Sequence, residues 1–303
     1  MGKDFNESTS PALGKGDRPG STPPPDFVPY DTSSLSFGLS GDGPLAVRTI
    51  RMVEWMTGKI TLLRIARDFD RKGRQFETTF WAKIVELLRV RVNVSPEAVA
   101  RIPKTGPVVV VANHPYGFVD GLVMADLVSR VRPDLKILTR AFFATLPEID
   151  DNMVPVAFAH DEDSVNRNIE VRREVMAHLA EGGVVILFPA GRVATAPKFL
   201  ARAVEHPWNP FTSKMILRSE AVVVPIYFPG QNGFFYQTVQ LFSPTLRQSL
   251  MMHEIWRKIG KTVDLKIGEP IGRDVLDEWK LKPGEFMKML RERTLQLRDR
   301  QDL

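Results

Sequence analysis

Short runs of β-branched and aliphatic residues punctuate the chain: VVVVAN at 108–113, KILTRA at 136–141, VPVAF at 154–158, VVILF at 184–188, VVVPIYF at 222–228 and VDLKIG at 263–268. Runs of this kind are apolar on both faces, so a strand built from one needs cover on both sides of its sheet. Segments between them carry helical periodicity instead. GLVMADLVSRV at 121–131 is one. A second runs from Ser164, a residue able to cap it, to Glu181, with Val171, Val175 and Leu179 on one face and Gly182-Gly183 at its end. Strands buried on both faces and joined by helices predict an α/β fold, a largely parallel mixed sheet flanked by helices.

Residues 93–303 hold that pattern, and what precedes them differs. In residues 1–45, 21 positions are Pro, Gly or Ser and the charge balance is −3. Such a composition cannot offset its ordering entropy by burial, which predicts a disordered or extended tail. Residues 46–92 turn helical and amphipathic. Ile50, Val53, Trp55, Met56 and Leu63 alternate with Arg48, Arg51, Lys59, Arg64 and Arg67, and a second helix near 75–90 carries Phe80, Trp81 and Ile84. Between 46 and 75 there are eight Lys or Arg against three acids. An apolar face with a basic border predicts a helical hairpin lying on an anionic membrane surface; the alternative is a hairpin packed on its own domain.

Composition removes several classes of chemistry. The chain has no cysteine, which excludes disulfides, thiolate metal sites and thiol nucleophiles. No window reaches the roughly 18–20 apolar residues of a spanning helix, and MGKDFNESTS lacks a signal-peptide pattern. These features predict a protein retained in the cytosol and peripheral to the cytoplasmic face of a membrane. No nucleic-acid-binding motif occurs, and the basic segment is strongly apolar, so nucleic acid is not an expected partner.

In open parallel sheets function gathers at the carboxyl ends of strands. Three such ends stand out: Asn113-His114, Pro189-Ala190-Gly191-Arg192 and Pro229-Gly230-Gln231-Asn232. Imidazole takes a proton near neutral pH, and Asp120, six residues after His114, opens the next helix. The pair reads either as a base with its orienting carboxylate or as a helix cap beside a turn-bonded histidine. There is no G-x-S-x-G elbow to supply a serine nucleophile. Arg192 follows a glycine that lets backbone approach an anion, and Arg140 lies between a strand and an apolar AFF run. Both suit an anionic head group, and a turn arginine on the surface is the plainer reading of Arg192. A metal site on His114 and Asp120 lacks a third ligand.

With these blocks assembled, residues 92–272 resemble the glycerophospholipid acyltransferase superfamily, which includes lysophosphatidic acid acyltransferases and putative-hemolysin relatives. ANHPYGFVDG, ILTRAFF through VPVAF, VVILFPAGRVAT and VVVPIYFPG stand in the family's order, followed by GEPIG. The resemblance implies a glycerol-phosphate acyltransferase-like fold and an O-acyltransferase of lipid biosynthesis. His114 would then deprotonate the acceptor hydroxyl, Asp120 would orient it, and Asn113, Arg140, Gly191 and Arg192 would bind substrate. The donor would be acyl-CoA or acyl carrier protein, the acceptor a lysophospholipid or lyso-aminolipid, and no cofactor is implied. Two departures stand out. Five residues separate His114 from Asp120 where the family has four. Ala190 stands where the family has Glu, with Arg192 directly after Gly191. Ester or thioester hydrolysis by the same pair, or membrane binding without catalysis, remain open.

Overall fold

The computed structural model describes residues 44–71, 78–140, 151–156 and 164–299. Nearly all of the expected tail, 1–43, lies outside them, as do the last residues of two expected strands, 141 and 157–158. In chain order the elements are α1 (Pro44–Glu54), a π-helical turn (Trp55–Lys59), α2 (Ile60–Arg71), α3 (Thr78–Leu87), β1 (Arg91–Asn93), α4 (Pro96–Val99), β2 (Val108–Ala112) and α5 (Phe118–Ser129). Next come β3 (Leu135–Arg140), β4 (Met153–Val156), α6 (Ser164–Ala180), β5 (Val184–Leu187), α7 (Phe211–Arg218), β6 (Val222–Tyr227), α8 (Phe234–Val239) and α9 (Pro244–Ser249). The chain closes with α10 (Met251–Lys258), β7 (Thr262–Asp264), β8 (Lys266–Ile267), α11 (Arg273–Asp277) and α12 (Pro283–Gln296).

Six strands form the main sheet in the order β4-β3-β5-β2-β6-β8, every pair parallel except β6 with β8. The period-2 alternation of side chains divides each central strand between two cores. Val108, Val110 and Ala112 of β2 face one core, with Ile186 and Val224, while Val109 and Val111 face the other, with Val185 and Val223. This is the two-sided cover that the apolar runs require. Near-total burial of α5 follows from its place between the sheet and α3, whose Phe80, Trp81 and Val85 belong to the same core.

Two expectations change here. VDLKIG is not one strand: β7 pairs in parallel with β1 in a separate two-stranded sheet, Leu265 turns into the core, and β8 joins the main sheet antiparallel to β6. The second helix of the hairpin, α3, is core rather than a membrane-facing surface. Its aromatic residues Phe80 and Trp81 pack edge-on against one another and bury against the domain, as does Phe69 of α2. Apolar exposure in this region is concentrated earlier, at Met52, Trp55 and Ile60. Among the described residues no helix is long and apolar enough to cross a membrane.

Candidate active site

Strand order creates the site. β2 pairs with both β5 and β6, with Val111 opposite Leu187 and Ala112 opposite Ile226. The loops leaving these three strands therefore meet, although they lie far apart in sequence. Asn113 joins two of them. Its Nδ2 donates to the Phe228 carbonyl at 2.8 Å and its Oδ1 accepts the Phe228 N–H at 2.7 Å. Grouped with the substrate-binding residues by sequence, this buried amide bonds backbone through both its nitrogen and its oxygen and pins the end of β2 to the end of β6.

His114 follows. Its imidazole stacks on Phe188 from the end of β5, with ring centroids 4.1 Å apart. Its Nδ1 stands 3.1 Å from Asp120 Oδ1. Asp120 is wholly buried, and a buried carboxylate needs donors. It has them in the turn itself: Tyr116 N–H donates to Oδ2 at 2.9 Å and Gly121 N–H to Oδ1 at 3.1 Å. Its place in the first turn of α5 adds the favourable end of the helix dipole.

The five-residue spacer is accommodated by one residue of left-handed backbone, Gly117 at φ 82 and ψ −115. The positive φ demands glycine there, and a Cβ would in addition have to displace Met251 Cε, 2.5 Å away, and press on Val193 Cγ2 at 3.1 Å. Tyr116 locks the turn. Its hydroxyl donates to the Pro229 carbonyl at 2.5 Å, and Lys258 Nζ sits 3.3 Å above its ring. Burial first, and then the Asp120 charge, push the Tyr116 phenol up to about 12, so it stays a donor. Desolvation holds the Lys258 ammonium below its ordinary range.

The segment that follows β5 returns to the same histidine twice. Ala194 N–H donates to the His114 carbonyl at 2.8 Å, and His114 N–H donates to Glu205 Oε2 at 3.0 Å. The second Glu205 oxygen accepts Trp208 Nε1–H at 3.0 Å. Burial raises this carboxyl above the usual range, against the pull of both N–H donors. Glu205 was not singled out from sequence. Its signal was present nevertheless, as the single acid in the stretch ATAPKFLARAVEHPW.

The remaining candidates are placed as follows. Gly191 takes φ 64, and its N–H is used within the turn, donating to the Phe188 carbonyl at 2.9 Å. Arg192 is exposed beside it. Among the described residues its guanidinium has no hydrogen bond or ion pair, and its charge reaches His206. Burial first, then Arg192, Arg247 and Arg291, hold His206 below its ordinary value. The backbone of Arg140 ends β3 in register with Val156, and its side chain lies outside the described residues. Among the described residues no cluster of three or more acids and histidines is arranged to hold a metal ion.

Comparison with known proteins follows the same blocks. A family model described as acyltransferase matches residues 77–302. A lyso-glycine lipid O-acyltransferase of Phocaeicola vulgatus is 21% identical over 220 residues, covering 70% of this chain and 75% of the relative. A protein of the same description from Bacteroides thetaiotaomicron is 22% identical over 220 residues, covering 70% and 77%. Among solved structures, the 1-acyl-sn-glycerophosphate acyltransferase of Thermotoga maritima is 15% identical, with a TM-score of 0.39, over 80% of this chain and 95% of that one.

Proposed function

This chain belongs to the acyltransferase family, and from that premise we propose that it moves a fatty acyl group from a thioester to the hydroxyl of a lysolipid, with His114 as general base. The observation that supports the reading is the 3.1 Å approach of His114 Nδ1 to the buried Asp120 carboxylate. An imidazole with Nδ1–H turned to a carboxylate presents Nε2 to the acceptor hydroxyl, and the carboxylate stabilises the cation that forms. Catalytic hydrogen bonds of this kind commonly align only in the substrate complex.

The acceptor oxygen attacks the thioester carbon as its proton passes to His114 Nε2. The tetrahedral oxyanion then collapses, the carbon–sulfur bond breaks, and the imidazolium returns the proton to the departing thiolate. Phe188 stacked on the ring and the two bonds to the His114 backbone hold the base against rotation and drift.

The acceptor we favour is a lyso-aminolipid, an N-acylated amino acid with a free hydroxyl, and the donor an acyl carrier protein or coenzyme A thioester. Arg192, exposed and unpartnered among the described residues, suits a carboxylate head. The names of the two curated relatives support an amino-acid lipid over a phosphate ester. Purified protein given either thioester with panels of lyso-aminolipids and lysophospholipids should form the ester product, and His114→Ala should abolish it in a folded protein. Free fatty acid as the sole product would assign hydrolysis instead, and full transfer by His114→Ala would overturn the mechanism.

A further inference from the structure

The segment 194–205 has both ends fastened to His114, through Ala194 N–H and the Glu205 carboxylate. Between those feet it projects a tip that is apolar and exposed. Leu200 is 74% exposed and holds a left-handed φ of 62, a strained backbone for leucine. Phe199 is 56% exposed and meets Phe234, at the start of α8, edge to face at 5.6 Å. Phe235, in α8, and Phe242, three residues past its end, are 60% and 81% exposed.

This exposure is not that of a frayed loop. Ala196 N–H donates to Gln237 Oε1 and Ala203 N–H to Gln231 Oε1, both at 2.8 Å, and Gln240 Nε2 donates to the Ala196 carbonyl at 2.7 Å. A framework of hydrogen bonds therefore holds large apolar groups in water. Seven of the thirteen large apolar side chains exposed among the described residues fall within 194–204 and 233–250. Those two stretches contain Lys198, Arg202 and Arg247 and no acid. A soluble surface has no reason to gather such residues, whereas an apolar wedge bordered only by cations is what an anionic bilayer takes up.

We propose that Phe199, Leu200, Phe234, Phe235 and Phe242, flanked by Lys198 and Arg202, form the surface through which the protein docks on an anionic lipid bilayer. The inference rests on the reading that the acceptor is a lipid, and it places a docking surface at the rim of the His114 site. Because the tip is fastened to His114 at both ends, the site mouth is brought to the leaflet in which the acceptor resides.

The test uses the full chain with vesicles of phosphatidylglycerol and phosphatidylcholine. Phe199→Ser/Leu200→Ser/Phe235→Ser/Phe242→Ser should partition at least about tenfold less than wild type, given the apolar area withdrawn. A Met52→Ser/Trp55→Ser variant should lose less than the fourfold variant, and binding should weaken on vesicles of phosphatidylcholine alone. Unchanged binding by the fourfold variant, or loss confined to the Met52/Trp55 variant, would overturn the proposal. A wild-type dimer in lipid-free solution that the fourfold variant dissociates would assign the face to a second copy and overturn it too. Acyl transfer to a short-chain, water-soluble lysolipid is measured alongside and should be equal in wild type and the fourfold variant. Absence of transfer in both, with the vesicle result intact, would sink the enzymatic reading and leave the docking surface standing.

Discussion

Glu205 accepts the backbone N–H of His114 from 91 residues away, at 3.0 Å, in a buried setting. The family's third block carries a Glu after its proline, and this chain has Ala190 there. A carboxylate from farther along the same segment nevertheless reaches the end of β2. Replacing Glu205 by Gln puts an amide donor against one of two N–H donors, which should lower unfolding free energy by about 1–3 kcal/mol. The pH dependence has a definite sign. A carboxyl whose folded pKa is raised binds more protons folded than unfolded, so its contribution falls as pH rises from 4.5 toward the folded value. Denaturant midpoints should therefore show the gap between wild type and Glu205→Gln narrowing as pH rises from 4.5.

Asp120 serves two purposes that substitution can separate. Its oxygens accept the Tyr116 and Gly121 N–H groups and lie beside His114 Nδ1. Asp120→Ala should lose both fold and activity. Asp120→Asn keeps the shape but sets its amide donor against one of two backbone N–H donors, so it should cost about 1–3 kcal/mol while leaving a folded protein whose kcat falls by roughly 10²–10⁴. Equal kcat in Asp120→Asn and wild type would reduce Asp120 to a helix cap.

Tyr116 and Gly230 should be coupled. A Cβ on Gly230, which has φ +100, would fall 2.0 Å from the Tyr116 hydroxyl. Gly230→Ala should thus cost more in wild type than in a Tyr116→Phe background, because removing the hydroxyl relieves the closest clash. Tyr116→Phe alone should cost about 0.5–1.5 kcal/mol for the lost bond to Pro229. A double-mutant cycle by chemical denaturation measures the coupling, and strict additivity would contradict it.

Arg192 should be expendable for stability. Exposed and unpartnered among the described residues, it should change unfolding free energy by less than about 0.5 kcal/mol on replacement by Ala. Its removal should raise the acceptor KM with little effect on the donor KM, and should raise the His206 pKa by taking away a neighbouring cation. The imidazole resonances of His206 report the second effect directly.

The apolar runs determined the parallel sheet because residues apolar on both faces admit little else, and the strand ends then pointed to His114, Asp120 and Arg192. Periodicity likewise marked α3 and α5 as helices. It could not say which apolar face meets solvent, since core and membrane ask for the same residues; packing of α3 on α5 answered that. Nor could local pattern foresee that VDLKIG divides between two sheets, because pairing partners lie outside its own residues. The site was decided at the same level. Only strand order, with β2 between β5 and β6, brings Phe188 and Glu205 to His114 and Phe228 to Asn113, for hydrogen bonds and ring contacts act over a few ångströms of space while sequence records only distance along the chain.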